Sequence, residues 1–284
     1  MKKIALVVLA AIGYICLLPL WPGRRKNKLM IIRYHSVGDF RRHEVNVKAS
    51  AFRKQMRFLN KYLKPISLES ALHLLRGKLP IPTRAVVVTF DDGYKDNYIN
   101  AYPVLKSQGI PATIFLTAGY IGSGKILPHD KGDNPAYNQF LAWYEVKQMA
   151  SAGIEFGSHT INHANLGSGR FDIQSEIEDS KKIIEKELGA KVRAISYPFG
   201  LITDFGEEAK RISVKSGYAC GCSAMNGVND FNSDMFELRR IGIEGSDNMF
   251  TFRAKLNGAL DLLEIKDWPV FIKILNMCNR MIGV

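Results

Sequence analysis

The chain has 284 residues, enough for one α/β barrel of roughly 250 residues and little else. Apolar residues make up 46% and charged residues 23%, a balance that excludes a largely disordered chain and allows a sizeable core. The formal net charge of +12 raises nucleic-acid binding, but no recognition helix, zinc-finger spacing or aromatic RNA-binding signature accompanies it, so an anionic membrane surface or envelope polymer is the expected partner.

Residues 4–21 are apolar apart from Gly13, Tyr14 and Pro19, and they follow Met1-Lys2-Lys3. About 18 such residues just span a bilayer as a helix. No small-x-small cleavage site closes the segment, and Gly13-Tyr14-Ile15-Cys16 is a poor lipoprotein box. Residues 1–28 therefore read as an uncleaved signal anchor with a basic flank. Arg24, Arg25, Lys26, Lys28 and Arg33 outweigh Lys2 and Lys3, which favours retention of that flank in the cytoplasm. The substrate class argued below is mostly extracytoplasmic, and a membrane-anchored, exported catalytic domain is the expectation.

From residue 29 to 250, short apolar or β-branched runs alternate with amphipathic stretches, the pattern of a parallel α/β barrel. The first strand, 29–34, leads into Tyr34-His35-Ser36-Val37. The next, 85–90, ends at Asp91-Asp92-Gly93. A turn with Asp-Gly chemistry accounts for one aspartate but not for two adjacent carboxylates that repel each other. A cation accounts for both, because one carboxylate ligates it while the other stays free as a base. A helix over 97–108 stops at Gly109, and a strand follows at 112–117. The irregular stretch 120–139 is placed on the catalytic rim, where it shapes substrate access.

Strand 154–156 leads into Gly157-Ser158-His159-Thr160-Ile161-Asn162-His163. Histidines at i and i+4 converge on one metal if the backbone makes a helical turn. With Asp92 they form a His-His-carboxylate set with open positions, suited to zinc or another divalent first-row metal. Asp91 then takes a proton from water acidified by the cation. Asp172 caps a helix whose Ile173, Ile177, Ile184 and Leu188 share a face and which Gly189 stops. Strand 192–197 ends in Tyr197-Pro198-Phe199-Gly200, where Gly200 permits the close approach from which a backbone N–H meets the oxyanion of an attacked amide. Strands at 218–222 and 238–243 complete the series. Cys220 and Cys222 read as small buried residues, and with Cys16 and Cys278 they are too sparse for a disulfide framework. Residues 251–284 read as a helical extension, its last part 268–284 packing on the barrel's outside.

Thr89-Phe90-Asp91-Asp92-Gly93, His159-x3-His163 and Tyr197-Pro198-Phe199-Gly200 resemble the three central motifs of the polysaccharide deacetylases with a NodB-homology domain, carbohydrate esterase family 4. Tyr94-Lys95-Asp96-Asn97, the run 101–106 and the run 109–113 are also typical of that family, and the similarity spans about residues 29–244. The resemblance implies a distorted (β/α)7-type barrel, Asp91 as general base, and Asp92, His159 and His163 as ligands of a divalent metal, zinc first, with nickel, cobalt or iron as substitutes. The substrate it implies is an N-acetylated glycan, and no protein partner is inferred.

Two departures stand out. Many members place an arginine before the Pro-Tyr-Gly turn to orient the base; here that position is Ser196, which leaves Arg239 or Arg240 as the orienting group. No histidine follows His163, so the usual late acid is missing. His35, at the end of a first strand that neighbours the last in a closed barrel, is the candidate general acid. This arrangement is similar to the branch that deacetylates poly-β-1,6-N-acetylglucosamine. His43, His73 and His129 are read as surface residues. The competing readings are a lipid-linked sugar deformylase or cyclic-amide hydrolase on the same scaffold, and an inert glycan-binding homologue. The intact Asp91, Asp92, His159 and His163 argue against the last, since a binder has no need of buried like charges.

Overall fold

The computed structural model describes residues 26–39, 44–131 and 138–259. In chain order these form β1 (Met30–Tyr34), β2 (Ser36–Val37), β3 (Asn46–Val47), α1 (Ala49–Tyr62), β4 (Lys64–Pro65), α2 (Leu68–Arg76) and β5 (Ala85–Phe90). A π-helical turn (Asn97–Ala101) then runs into α3 (Tyr102–Gln108), followed by β6 (Ala112–Leu116), α4 (Trp143–Ser151), β7 (Glu155–Ser158) and α5 (Ile173–Leu188). The chain continues through β8 (Ala194–Ser196), α6 (Ile202–Lys215), β9 (Cys220–Cys222), β10 (Ile241–Gly242) and α7 (Met249–Leu256).

The main sheet is parallel in the order β10-β1-β5-β6-β7-β8-β9, with β4 added beside β5. Its two ends are joined by the chain itself: Leu238 bridges to Cys222 beyond β9, while Ile241 and Gly242 pair with Ile32 and Arg33 of β1. A curled parallel sheet ringed by helices agrees with the expected distorted (β/α)7-type barrel. The strands are short and apolar because both faces are covered. On β5, Val86, Val88 and Phe90 pack toward the surrounding helices, while Val87 joins Ile31, Phe115, Cys220, Cys222 and Leu238 in a second, inner cluster. Leu68, Leu72 and Leu75 of α2 extend that inner cluster and close the barrel's lower end.

Strand alternation then decides which residues line the upper interior. Arg33 and His35 continue the face of Ile31, Thr89 and Asp91 that of Val87, and Arg240 that of Leu238. Gly157 is required by crowding: a Cβ there would lie 2.8 Å from the Ala194 carbonyl oxygen and would overlap the Phe115 ring. The Asp172-capped helix and its Gly189 stop occur as expected. The helix expected over 97–108 differs in its first turn, which is π-helical; Asn97, at its start, turns its side-chain amide to the His35 carbonyl at 2.7 Å. The helix expected beyond residue 250 begins at Met249 and packs Phe252 edge-on against Phe58 of α1, ring centroids 6.1 Å apart.

Among the described residues no helix is long and apolar enough to cross a membrane. The anchor expected over residues 4–21, the terminal segment 268–284 and His43 all lie outside the described residues.

Candidate metal and catalytic centre

Neighbouring residues Asp91 and Asp92 go to different partners because the chain turns sharply between them. β5 ends with the Asp91 N–H donating to the Tyr34 carbonyl, and the Gly93 N–H then folds back to the Asp91 carbonyl at 2.9 Å. Asp92 sits at φ 73 and Gly93 at φ 83; aspartate tolerates that region better than most residues and glycine occupies it freely.

Asp91 faces the barrel interior and meets Arg240. Nη1 donates to Oδ1 at 2.7 Å and Nη2 to Oδ2 at 2.8 Å, a two-pronged ion pair between fully buried side chains. The same guanidinium donates from Nη2 to Ser196 Oγ at 2.8 Å and from Nε to the Ser223 carbonyl at 2.7 Å. Ser196, the position at which the resemblance leads one to expect an orienting arginine, thus receives an arginine that arrives from the far edge of the sheet. Burial pushes the Asp91 carboxyl up, but the Arg240 guanidinium, with His159 and His35, reverses this and holds it far below the usual carboxylate range. Of the two arginines expected as candidates, Arg239 is excluded: its Nη1 donates to the Asn226 carbonyl at 3.1 Å, on the other face of the strand.

Asp92 faces the two imidazoles. Its Oδ1 lies 3.4 Å from Nε2 of His159 and 3.4 Å from Nε2 of His163. One ligand atom from each of the three residues falls within 4.8 Å of the others. His159 Nδ1 is 2.7 Å from the Ser196 carbonyl oxygen. A carbonyl only accepts, so Nδ1 carries the proton and, in the neutral ring, Nε2 presents its lone pair to Asp92. Among the described residues no hydrogen-bond donor meets the buried Asp92 Oδ1. Electron-rich atoms converging on one point, one of them orphaned, fit a divalent cation. Burial pushes the Asp92 carboxyl up, and contact with His159 and His163 more than reverses it, leaving the group well below its usual range.

The histidines do not reach this point through a helical turn, as expected from their spacing. Thr160 at φ 64 and His163 at φ 56 make a non-helical loop, clamped on one side by Ala118 and Gly119, whose N–H groups donate to the Thr160 and Ile161 carbonyls. A helix would leave those carbonyls to its own next turn; the strand-end loop of β6 claims them first.

The tetrapeptide after β8 borders the same space. The Tyr197 N–H is taken by the Cys222 carbonyl and the Gly200 N–H by the Pro198 carbonyl. Pro198 has no N–H, and the Phe199 N–H meets no acceptor among the described residues. Phe199 holds φ 62, is 55% exposed, and sets its ring edge-on to His163 with centroids 5.0 Å apart. The Tyr197 side chain is buried and stacks on Phe205. Gly200 is fixed by crowding, since a Cβ would meet the Ala224 nitrogen at 2.5 Å.

His35 is half-buried at the end of β1. Its buried Nδ1 has no hydrogen-bond partner among the described residues. Burial lowers the imidazole to about 4, with Asp92 opposing and Arg33 reinforcing the shift, so the resting ring is neutral. His73 and His129 are exposed, as expected. His129 nevertheless reaches the site's rim, its ring centroid 5.4 Å from that of His163. Nothing in its local pattern signals this, because the intervening loop is irregular. Cys220 and Cys222 are buried free thiols.

The polysaccharide deacetylase family model matches residues 78–220. YxkH of Bacillus subtilis, named as a polysaccharide deacetylase, is 34% identical over 226 residues, 77% of this chain and 74% of its own. The poly-β-1,6-N-acetyl-D-glucosamine N-deacetylase of Staphylococcus aureus is 29% identical over 216 residues, 72% of this chain and 69% of its own. Among solved structures, IcaB from Ammonifex degensii superposes with a TM-score of 0.67 at 23% identity, covering 82% of this chain and 97% of that one. The Streptococcus pyogenes deacetylase PplD gives 0.66 at 24%, covering 78% and 94%. The structures establish the shared fold and the sequence matches the kinship: the chain belongs to the polysaccharide deacetylases, hydrolases of the amide bond that carries a sugar's N-acetyl group.

Proposed function

We propose that the chain removes N-acetyl groups from an amino-sugar polymer in a metal-dependent reaction, in the manner named for its Staphylococcus aureus relative. The observation that supports this best is the division of labour between neighbouring carboxylates: Asp92 turns an unpartnered oxygen to two imidazoles, while Asp91 is held apart by Arg240. Asp92, His159 and His163 would hold the cation, zinc or in its place nickel, cobalt or iron. When bound, the cation supplies Lewis acidity to water and to the acyl oxygen. Asp91, kept ionised by Arg240, accepts the proton that water gives up as it attacks. A carboxylate this acidic is a weak base, suited to a water already acidified. The Phe199 N–H donates to the developing oxyanion.

His35 is the proton donor to the leaving amine. It enters as a neutral ring, takes up a proton from solvent as negative charge developing beside it raises its affinity for one, and passes that proton to the leaving amine. His35→Ala is expected to slow amide cleavage by about 10²–10⁴-fold but cleavage of an activated ester far less, because a good leaving group needs no proton. Equal losses on both substrates, in matched steady-state assays, would remove His35 from the role.

Residues 1–28 are assigned to a membrane anchor that carries the catalytic domain, 29–250, on the extracytoplasmic side, with 251–284 as a helical extension; protease accessibility in intact cells tests the side. The decisive test of the activity is acetate release from poly-N-acetylglucosamine by the full chain, before chelation, after it, and after zinc is restored. Release that persists unchanged in chelator refutes the metal requirement, and formate release from a formylated sugar without acetate release would transfer the assignment to a deformylase.

A further inference from the structure

The two histidines that face Asp92 are secured in different ways. His159 is pinned at both ends: its N–H donates to the Leu116 carbonyl at 2.8 Å and its ring to the Ser196 carbonyl. The His163 ring has no polar partner but Asp92 among the described residues, and otherwise leans on the rings of Phe199, His129 and His159. Its place depends on the peptides that precede it.

Those peptides are gathered by one carboxylate from outside the motif. Glu176, in the first turn of α5 and only 4% exposed, accepts the Ile161 N–H at 2.9 Å and the Asn162 N–H at 3.0 Å on Oε2. Its Oε1 accepts the Asn162 side-chain amide at 2.7 Å. One turn further along α5, Ser180 shares a 2.7 Å hydrogen bond with Ser158, the residue before His159. Consecutive N–H groups directed at a single acceptor demand an unusual backbone, and the loop supplies it with positive φ at Thr160 and His163. Without the acceptor those N–H groups have no reason to share a direction. The loop would then keep its ties at the Thr160 and Ile161 carbonyls and at the Thr160 hydroxyl, which accepts the Ala164 N–H. It would lose the one that fixes the Asn162 peptide beside His163, leaving that imidazole freer to shift.

We infer that Glu176 is the positioning residue for His163, its carboxylate fixing the loop that brings the second imidazole to Asp92 and thereby setting the affinity for the cation. The inference rests on Asp92, His159 and His163 being the cation's ligands. Glu176 touches neither cation nor substrate and acts through the backbone.

Co²⁺ titration of the full chain, followed by visible absorption and calorimetry, tests it. Glu176→Gln keeps one accepting oxygen but turns an NH₂ group toward donors, and is expected to raise the Co²⁺ Kd by about 10–100-fold, the usual consequence of losing an outer-shell partner. His163→Ala raises it as much or more. Adding Glu176→Gln to His163→Ala is expected to change Kd by less than about twofold, because both remove the same ligand. Full additivity of the two, or a Glu176→Gln Kd within about twofold of the parent's, overturns the inference. Should Glu176→Gln fail to fold, Asn162→Ala decides: the position is exposed, and loss of its bond to Glu176 is expected to weaken Co²⁺ binding about threefold or more, whereas parent affinity overturns the role. A parent chain that takes up no Co²⁺ sinks the cation reading itself, a result distinct from parent and variant binding alike.

Discussion

Asp91→Asn is expected to lower acetate release by about 10²–10⁴-fold while leaving the bound-cation content at the parent's value. The two effects separate because Asp91 spends both oxygens on Arg240 and none on the imidazoles. Asparagine keeps one acceptor for Arg240, so the two-pronged pair becomes single, and a loss of about 1–3 kcal/mol in stability accompanies the change. Activity is therefore measured well below the variant's melting temperature, alongside metal analysis of the same sample. A variant that keeps a tenth or more of the parent rate would show that the proton goes elsewhere, and one that loses its cation would place Asp91 among the ligands.

Arg240→Met is expected to cost more stability than Asp91→Asn. The guanidinium is fully buried and answers Asp91, Ser196 and Ser223 at once. Its removal leaves a buried carboxylate without its hydrogen-bonded counter-charge, Arg33 acting on it only at longer range, at a cost of about 3–5 kcal/mol near neutral pH. The pH dependence gives the cause. In the parent the Asp91 carboxyl titrates below its unfolded value, so its contribution is present above about pH 3.9 and is lost as pH falls through the folded value. With Arg240 gone, burial is the dominant influence left and raises the folded pKa above the unfolded one. The protonated group is then tolerated below about pH 3.9, and that tolerance is lost as pH rises through the folded value. The deficit of the variant should therefore shrink between pH 8 and pH 5 in urea unfolding with chelator present. A deficit that stays constant would assign the loss to packing alone.

The barrel was legible because its strands are buried on both faces and read as unbroken apolar runs. Ala85–Phe90 is the clearest case, recovered to the residue. The weaker strands shrank: the stretch expected over 238–243 pairs as a regular strand only at Ile241–Gly242, because its earlier part turns away to bridge Cys222. The convergence of Asp91, Asp92, His159 and His163 followed from strand ends opening on one rim. The choice between Arg239 and Arg240 was also within reach, since Leu238 is the apolar residue of that run and alternation sends Arg240 inward with it. The form of the His159–His163 loop was not. Spacing alone cannot tell a helical turn from a loop clamped by Gly119 and Glu176, both remote in sequence, and the same remoteness hid Glu176.

One consequence of the way the sheet closes concerns order in time. Synthesis lays down both aspartates and both histidines before residue 200, but Arg240 arrives only with the segment that seals the last gap between β9 and β1. A nascent chain, or one truncated before that segment, holds Asp91 without its two-pronged arginine partner and a sheet with two raw edges. On the proposed roles, competence would be conferred by the final stitch of assembly rather than by the arrival of the reacting groups, and a chain lacking that segment is expected to release no acetate.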